Sequence, residues 1–360
     1  MDRRSFLQLS GAAAVAPLAA ACDGVERLPV AGVPRSSFGK DSTAEEVTEG
    51  LDLSNNVAVI TGCNSGIGFE AMRVLALRGA YVIGTGRTLD KAKAACAKVT
   101  GSTSAVQLEL SEFDSVVACA KTIRGLNAPI DMLICNAGMR GGDLAQINGV
   151  EKHLMVNHLG HFLFVNHLID RMYYADQGRV VIVGSRAAYR GAPDDGIEFD
   201  NISGVRDYSV SKAYGQSKLA NALFSLELSR RLRGSRITSN ALHPGVINTN
   251  IARGESALLR RLFGVYTSIR GKTIEQGAAT TCYVAASPVL GEVSGAFFED
   301  CNAVEVTGDH HLHDTAMAER LWQLSETLAG DYLIRHERPT WNPFEDRVRD
   351  PHSISRESVS

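Results

Sequence analysis

The stretch from Asn56 to Ala80, NVAVITGCNSGIGFEAMRVLALRGA, decides the fold. Val57 to Ile60 is a short apolar run, and the segment after Gly68 repeats apolar residues at helical spacing, so the order reads strand, glycine-rich turn, helix. Gly62, Gly66 and Gly68, with Asn64, Ser65 and Ile67 among them, let the backbone turn tightly and approach a pyrophosphate. The N–H groups that open a helix have no partner inside it and favour an anion. A second strand-like run, Ala80 to Gly84, follows at βαβ distance, which makes the turn a dinucleotide-binding beginning.

The residues after that second strand discriminate between cofactors. Thr85-Gly86-Arg87-Thr88 offers no acid to bond a ribose 2′-hydroxyl, and Arg87 stands where a 2′-phosphate would be met, so NADP(H) is expected over NAD(H). Further strand-like runs at AVQLEL, MLIC, RVVIVG, ITSNAL and GAFFE alternate with helix-like segments. The pattern predicts an α/β protein, a single doubly wound parallel sheet of the Rossmann kind, with its ligand beyond the carboxyl ends of the strands.

Composition narrows the function classes. With 37 Lys+Arg against 40 Asp+Glu in 360 residues, the net charge of -3 argues against a nucleic-acid partner or a polybasic membrane patch. Seven cysteines without a CxxC pair suggest neither a zinc site nor a disulfide framework.

The N-terminus reads as an address. A basic start is followed by an apolar stretch from Gly11 to Ala21, about half the roughly 20 residues a membrane span needs. Arg3-Arg4 with Ser5-Phe6-Leu7 resembles a twin-arginine export motif. Ala19-Ala20-Ala21-Cys22 resembles a lipobox with Ala in place of the usual Leu; a plain cleavage site beside an incidental cysteine is the alternative. Lipidation of Cys22 would anchor the protein to the membrane, and Asp23 after it resembles an inner-membrane retention signal. The expected organisation is a signal over residues 1–21, a flexible tether over 22–50, the α/β domain over 51–330 and a polar tail over 331–360. The expected location is the periplasm, free or held at the inner membrane.

Further motifs occur in order: Thr61-Gly62-xxx-Gly66-Ile67-Gly68, Asn136-Ala137-Gly138 after an apolar strand, a Tyr-xxx-Lys, and Pro244-Gly245. Together they resemble the short-chain dehydrogenase/reductase family. EKHLMVNHLGHFLFVNHL, YGQSKLANALF and NALHPGVINT are similar to its retinol dehydrogenase-like branch, over about Leu51 to Ala329. The resemblance implies an NAD(P)-dependent oxidoreductase acting on a carbonyl or an alcohol. It implies cofactor contacts from the Gly62–Gly68 turn, Asn136, Ala137, Gly138, Pro244, Gly245 and Thr249, and from Glu109, where the family usually has Asp.

Hydride transfer to a carbonyl leaves an alkoxide that a positioned acid must protonate. Tyrosine, with an ordinary pKa of about 10, needs help, and a lysine four residues on along a helix supplies it. Two units satisfy Tyr-x-x-Ser-Lys: Tyr208 with Lys212, and Tyr214 with Lys218. From Lys218 the run LANALFSLELSRRLRG makes an amphipathic helix of about four turns, stopped by Gly234, whereas a start at Lys212 adds six residues and roughly 600° of rotation. The choice therefore falls on Tyr214 and Lys218, where the resemblance of YGQSKLAN to the retinol dehydrogenase-like branch also places the pair, with Tyr208 and Lys212 in the lead-in loop or first turn. The family likeness adds Ser185 to orient the substrate oxygen and Asn157 to support a water bridging to the lysine.

The remaining signals are weaker. His153, His158, His161 and His167 share a helix-like segment without nearby acid or cysteine ligands, and read as packing, not metal ligands. His310, His311 and His313 read as a solvated loop. Residues 186–213 form a long connection suited to a substrate mouth, and Leu258, Leu259, Leu262, Phe263 and Tyr266 suggest an apolar lid and an apolar small-molecule substrate. The family also suggests a homo-oligomer. A non-catalytic dinucleotide-binding sensor or scaffold is the second reading, against which the presence of all four candidate catalytic residues speaks.

Overall fold

A computed structural model describes residues 25–247 and 271–334. Seven strands run parallel at its centre: Val57–Ile60 (β2), Tyr81–Gly86 (β3), Thr103–Gln107 (β4), Met132–Cys135 (β5), Gly178–Val183 (β8), Ile237–His243 (β9) and Phe297–Glu299 (β10). Asn302–Val306 (β11) turns back antiparallel on β10, and Arg27–Pro29 (β1) is antiparallel to β11; Gln146–Ile147 (β6) and Val150–Glu151 (β7) form a separate antiparallel pair that leads into the short helix Lys152–Leu154 (α5). The spatial order is β1-β11-β10-β9-β8-β5-β2-β3-β4. Every residue of β2, β5, β8 and β9 is buried, as a parallel sheet covered on both faces requires.

Two helical layers cover the sheet. On one side lie Ala44–Val47 (α1), Gly66–Leu77 (α2), Leu89–Cys96 (α3) and Ile274–Ala286 (α9), sharing a core that includes Ala44, Met72, Leu75, Ile134 and Tyr283. On the other lie Phe113–Gly125 (α4), Gly160–Met172 (α6) and Val210–Arg231 (α8), with Thr315–Ala329 (α10) laid over α8. Phe162, Phe224 and Trp322 lock this second layer, their ring centroids 5.0 to 5.8 Å apart. The chain order reverses between β2 and β5, and the carboxyl ends of those strands form the crevice in which such sheets bind ligands.

One expectation about the boundaries changes. Described residues of the supposed tether are built into the fold. Thr43 and Glu46 close a reciprocal cap that starts α1, whose Ala44 and Val47 are buried. Val25 packs against the core, Asn302 bridges the backbone of Ser36 and Phe38, and Phe38 meets Tyr283 edge-on. The low apolar content of residues 25–50 concealed these attachments, because a three-residue edge strand and one helical turn need few apolar positions. Cys22 and the twin-arginine and lipobox motifs lie outside the described residues, as do Thr249, most of the lid segment and the tail from residue 335.

Candidate active site

The glycine-rich turn and the Asn136 turn are stitched together. The Thr61 hydroxyl oxygen accepts the N–H groups of Asn136 and Ala137, both at 2.9 Å, and the Asn136 amide donates to the Thr61 carbonyl at 2.8 Å. Gly62 and Gly66 have φ of 73° and 63°, where L side chains are strained. Gly68 serves packing: a Cβ there would lie 2.3 Å from Asn136 Nδ2 and 2.5 Å from the Gly62 carbonyl oxygen.

The start of α2 fits a pyrophosphate. Thr88, Ser209, Thr273 and Asp314 cap α3, α8, α9 and α10 with their side chains, but Ser65 makes no such bond at α2, whose first turn holds no acid. Backbone donors are thus left available where an anion would sit. Arg87 is exposed just past β3, and Gly138 is exposed past β5. Pro244 and Gly245 follow β9, with Gly245 at φ 105° and a Cβ there running into the Lys272 side chain at 2.5 Å. Glu109, half-buried, turns one carboxylate oxygen onto Ser111, accepting from its backbone at 3.1 Å and its hydroxyl at 2.8 Å. The extra methylene relative to Asp lets it fold back on its own turn.

The four candidate catalytic residues come from β8, α8 and a π-helical turn. Ser185 follows β8 and is hydrogen-bonded to the Tyr214 side chain. Lys218 Nζ donates to the Val183 carbonyl at 2.9 Å and lies 5.8 Å from the Tyr214 ring centroid. Asn157 sits in the π-helix Met155–Leu159, where Oδ1 accepts from Met139 N at 2.8 Å and both Nδ2 protons are donated, to Met139 O at 3.0 Å and Ser217 Oγ at 2.9 Å. Gly138 lies against these groups; a Cβ there would stand 3.3 Å from Asn157 Oδ1 and 3.5 Å from Lys218 Nζ.

Burial controls the electrostatics. It pushes the Tyr214 phenol above its ordinary value, against the opposing Ser185 hydrogen bond and Arg140 charge, and pulls Lys218 down to about 8. The two groups that favour the phenolate, Ser185 and Arg140, are therefore outweighed by desolvation in this arrangement.

The long helix corrects the basis on which the tyrosine was chosen. α8 begins at Val210 and spans 22 residues, so its length does not separate the two Tyr-Lys units; rotation does. Tyr208 lies just before the cap, with Lys212 in the first turn. The connection 186–213 includes the short helix Ala187–Arg190 (α7). Gly215 permits α8 to touch this connection, since a Cβ would fall 2.1 Å from the Gly191 carbonyl carbon.

The histidines are structural partners. His158 bonds Ser325, His167 bonds the Tyr332 carbonyl, and His161 links Thr61 Oγ1 at 2.9 Å to the Asn157 carbonyl at 3.0 Å. Because Thr61 Oγ1 already accepts two N–H groups, its own proton goes to His161 Nε2, which leaves Nδ1 as the protonated nitrogen donating to Asn157. No cluster of potential metal ligands occurs among the described residues. The sequence reading missed Ser217, which holds Asn157, and Arg140, whose guanidinium carbon lies 5.4 Å from the Tyr214 ring centroid. The only hint of the latter was a basic residue two places after the Asn-Ala-Gly turn.

Comparison with known proteins agrees with this geometry. Residues 56–195 match the short chain dehydrogenase family. The chain is 41% identical over 308 residues to short-chain dehydrogenase TIC 32 A of Brassica napus, covering 82% of this chain and 95% of that one. It is 38% identical over 288 residues to retinol dehydrogenase 12 of Homo sapiens, covering 78% and 88% respectively. A crystal structure of an uncharacterised protein from Mycobacterium Paratuberculosis superposes with a TM-score of 0.63 at 32% identity, over 78% of this chain and 96% of that chain. The chain belongs to the short-chain dehydrogenase family of hydride-transferring oxidoreductases.

Proposed function

We propose that the protein interconverts a carbonyl and an alcohol on an apolar small molecule, using NADP(H) in preference to NAD(H), with Tyr214 as the acid and base. The observation that carries this reading is the convergence of Ser185, Tyr214, Lys218 and Asn157 beside a glycine turn whose helix is left without a side-chain cap. A nicotinamide nucleotide bound there supplies or accepts the hydride. Ser185 holds the substrate oxygen and Tyr214 donates its proton in reduction or takes one in oxidation. Lys218 and Asn157 connect that proton to solvent. Arg87 supports the preference for a 2′-phosphate, and the apolar residues of the 250–275 segment support a lipophilic substrate.

The test is purified full-length protein with NADPH or NADH and a panel of apolar aldehydes and ketones. Turnover is expected with NADPH, and Tyr214→Phe should lower it by about a hundredfold or more. Equal turnover by the variant refutes the tyrosine assignment, equal use of NADH refutes the cofactor preference, and tight NADPH binding without turnover favours a sensor. The twin-arginine and lipobox motifs support export, with Cys22 as a membrane anchor; cell fractionation that leaves the protein in the cytoplasm refutes it.

A further inference from the structure

We propose that Arg140 is a positioning residue for the proton transfer: it holds a permanent positive charge over the ring of Tyr214 and favours the phenolate that alcohol oxidation requires. The inference rests on the reading of Tyr214 as the acid and base.

The position of Arg140 is built on both sides. Met139 is held through its N–H and carbonyl by the Asn157 side chain, at 2.8 and 3.0 Å. Gly141 N–H donates to His153 Nε2 at 3.2 Å, and the opposite ring nitrogen is paired with Glu151 at 2.7 Å in a fully buried couple. The Gly142 carbonyl accepts the Tyr208 hydroxyl at 3.0 Å. Gly141 and Gly142 have φ of 95° and 98°, a backbone path that other residues would strain. The rejected tyrosine and two buried side chains thus fix the loop that carries Arg140.

Among the described residues two cations face the Tyr214 ring at similar range, Arg140 Cζ at 5.4 Å and Lys218 Nζ at 5.8 Å from its centroid. They differ in persistence. Lys218 is 2% exposed and titrates near 8, so its charge fades in the alkaline range in which a tyrosine ionises. Arginine keeps its charge throughout. The other groups facing Tyr214 among the described residues are Ser185 from the end of β8, a hydrogen-bond partner, and the His153 ring, edge-on at 6.4 Å, with the Glu151 carboxylate behind it. The attraction between the Arg140 guanidinium and the ring grows when the phenol loses its proton.

The experiment follows the full-length chain labelled with [13Cζ]tyrosine, the Tyr214 resonance being identified by its loss in Tyr214→Phe. Circular dichroism fixes the pH range over which each variant is folded. Arg140→Met should raise the Tyr214 midpoint by about one pH unit, or out of the folded range, while Arg140→Lys, which keeps the charge, stays within about half a unit of the native chain. An unmoved midpoint in Arg140→Met, or a native Tyr214 that stays protonated throughout the folded range, overturns the proposal. Retained turnover in Tyr214→Phe would instead overturn the reading beneath it, whatever the titration shows.

Discussion

Two Tyr-x-x-Ser-Lys units begin six residues apart, and the structure gives them opposite surroundings. Tyr214 and Lys218 are 8% and 2% exposed, against Ser185, Arg140 and the end of β8. Tyr208 reaches across the surface to Gly142, and Lys212 pairs with Glu198 at 2.7 Å, each partner about a quarter exposed. Six residues at about 100° each turn the second unit roughly 240° from the first, so one unit faces the sheet and the other faces solvent. The five-residue pattern is the same in both; what differs is which face of α8 the tertiary packing covers.

The largest expected contrast is at the lysines. Lys218→Met removes the ammonium held by the Val183 carbonyl and should lower turnover by about a hundredfold or more, while Lys212→Met should leave it within about twofold. Comparable losses in the two variants would erase the distinction. A stability signature accompanies it. Burial lowers Lys218 from near 10.5 to about 8, so between those values the unfolded chain binds more protons than the folded one and stability rises with pH. In Lys218→Met that contribution is absent, and denaturant midpoints from pH 8 to 10 should rise less than in the native protein. An identical rise in both would show that Lys218 does not titrate within this window.

This contrast was only half legible in the sequence. The doubly wound sheet was readable because β2 and β5 are continuous apolar runs and β8 is one from Val180 to Val183, and the glycine turn announced the switch point at which it lies. The choice of Tyr214 came from the family likeness and from helix rotation; the accompanying length argument fails, because α8 extends to Val210 and includes the extra residues. Short edge elements were not legible. β1 is three residues ending in Pro29, and β11 follows a tight turn at Asp300 and Cys301, both at positive φ without a glycine to announce it. The Arg140 contact depends on a loop shaped by distant partners, which no local pattern encodes.

The serines sharpen the same comparison at the level of stability. Ser217 is fully buried, donates to the Tyr214 carbonyl at 2.8 Å and accepts from Asn157 Nδ2 at 2.9 Å. Ser217→Ala removes both bonds and leaves an amide proton without its partner, at a cost of about 1–2 kcal/mol. Ser211, the matching residue of the first unit, is exposed, and Ser211→Ala should stay within about 0.5 kcal/mol of native. Urea unfolding measures both, and equal costs would mean that the two units are not distinguished by burial.

The smallest effect is expected at Tyr208, where it decides how separate the units are. Tyr208→Phe deletes one partly exposed hydrogen bond to the Gly142 carbonyl, which water can replace, so the stability cost should be no more than about 1 kcal/mol and turnover should change less than about twofold. Gly142 lies two residues from Arg140, however, and that loop is also clamped by Asn157 at Met139 and His153 at Gly141. If those two suffice, the outer tyrosine is a surface residue that happens to repeat the motif. A loss of about tenfold, reproduced by Arg140→Met and not deepened in the double variant, would show that the outer unit acts on the inner one through the loop, and the two tyrosines would then have to be counted as parts of one site.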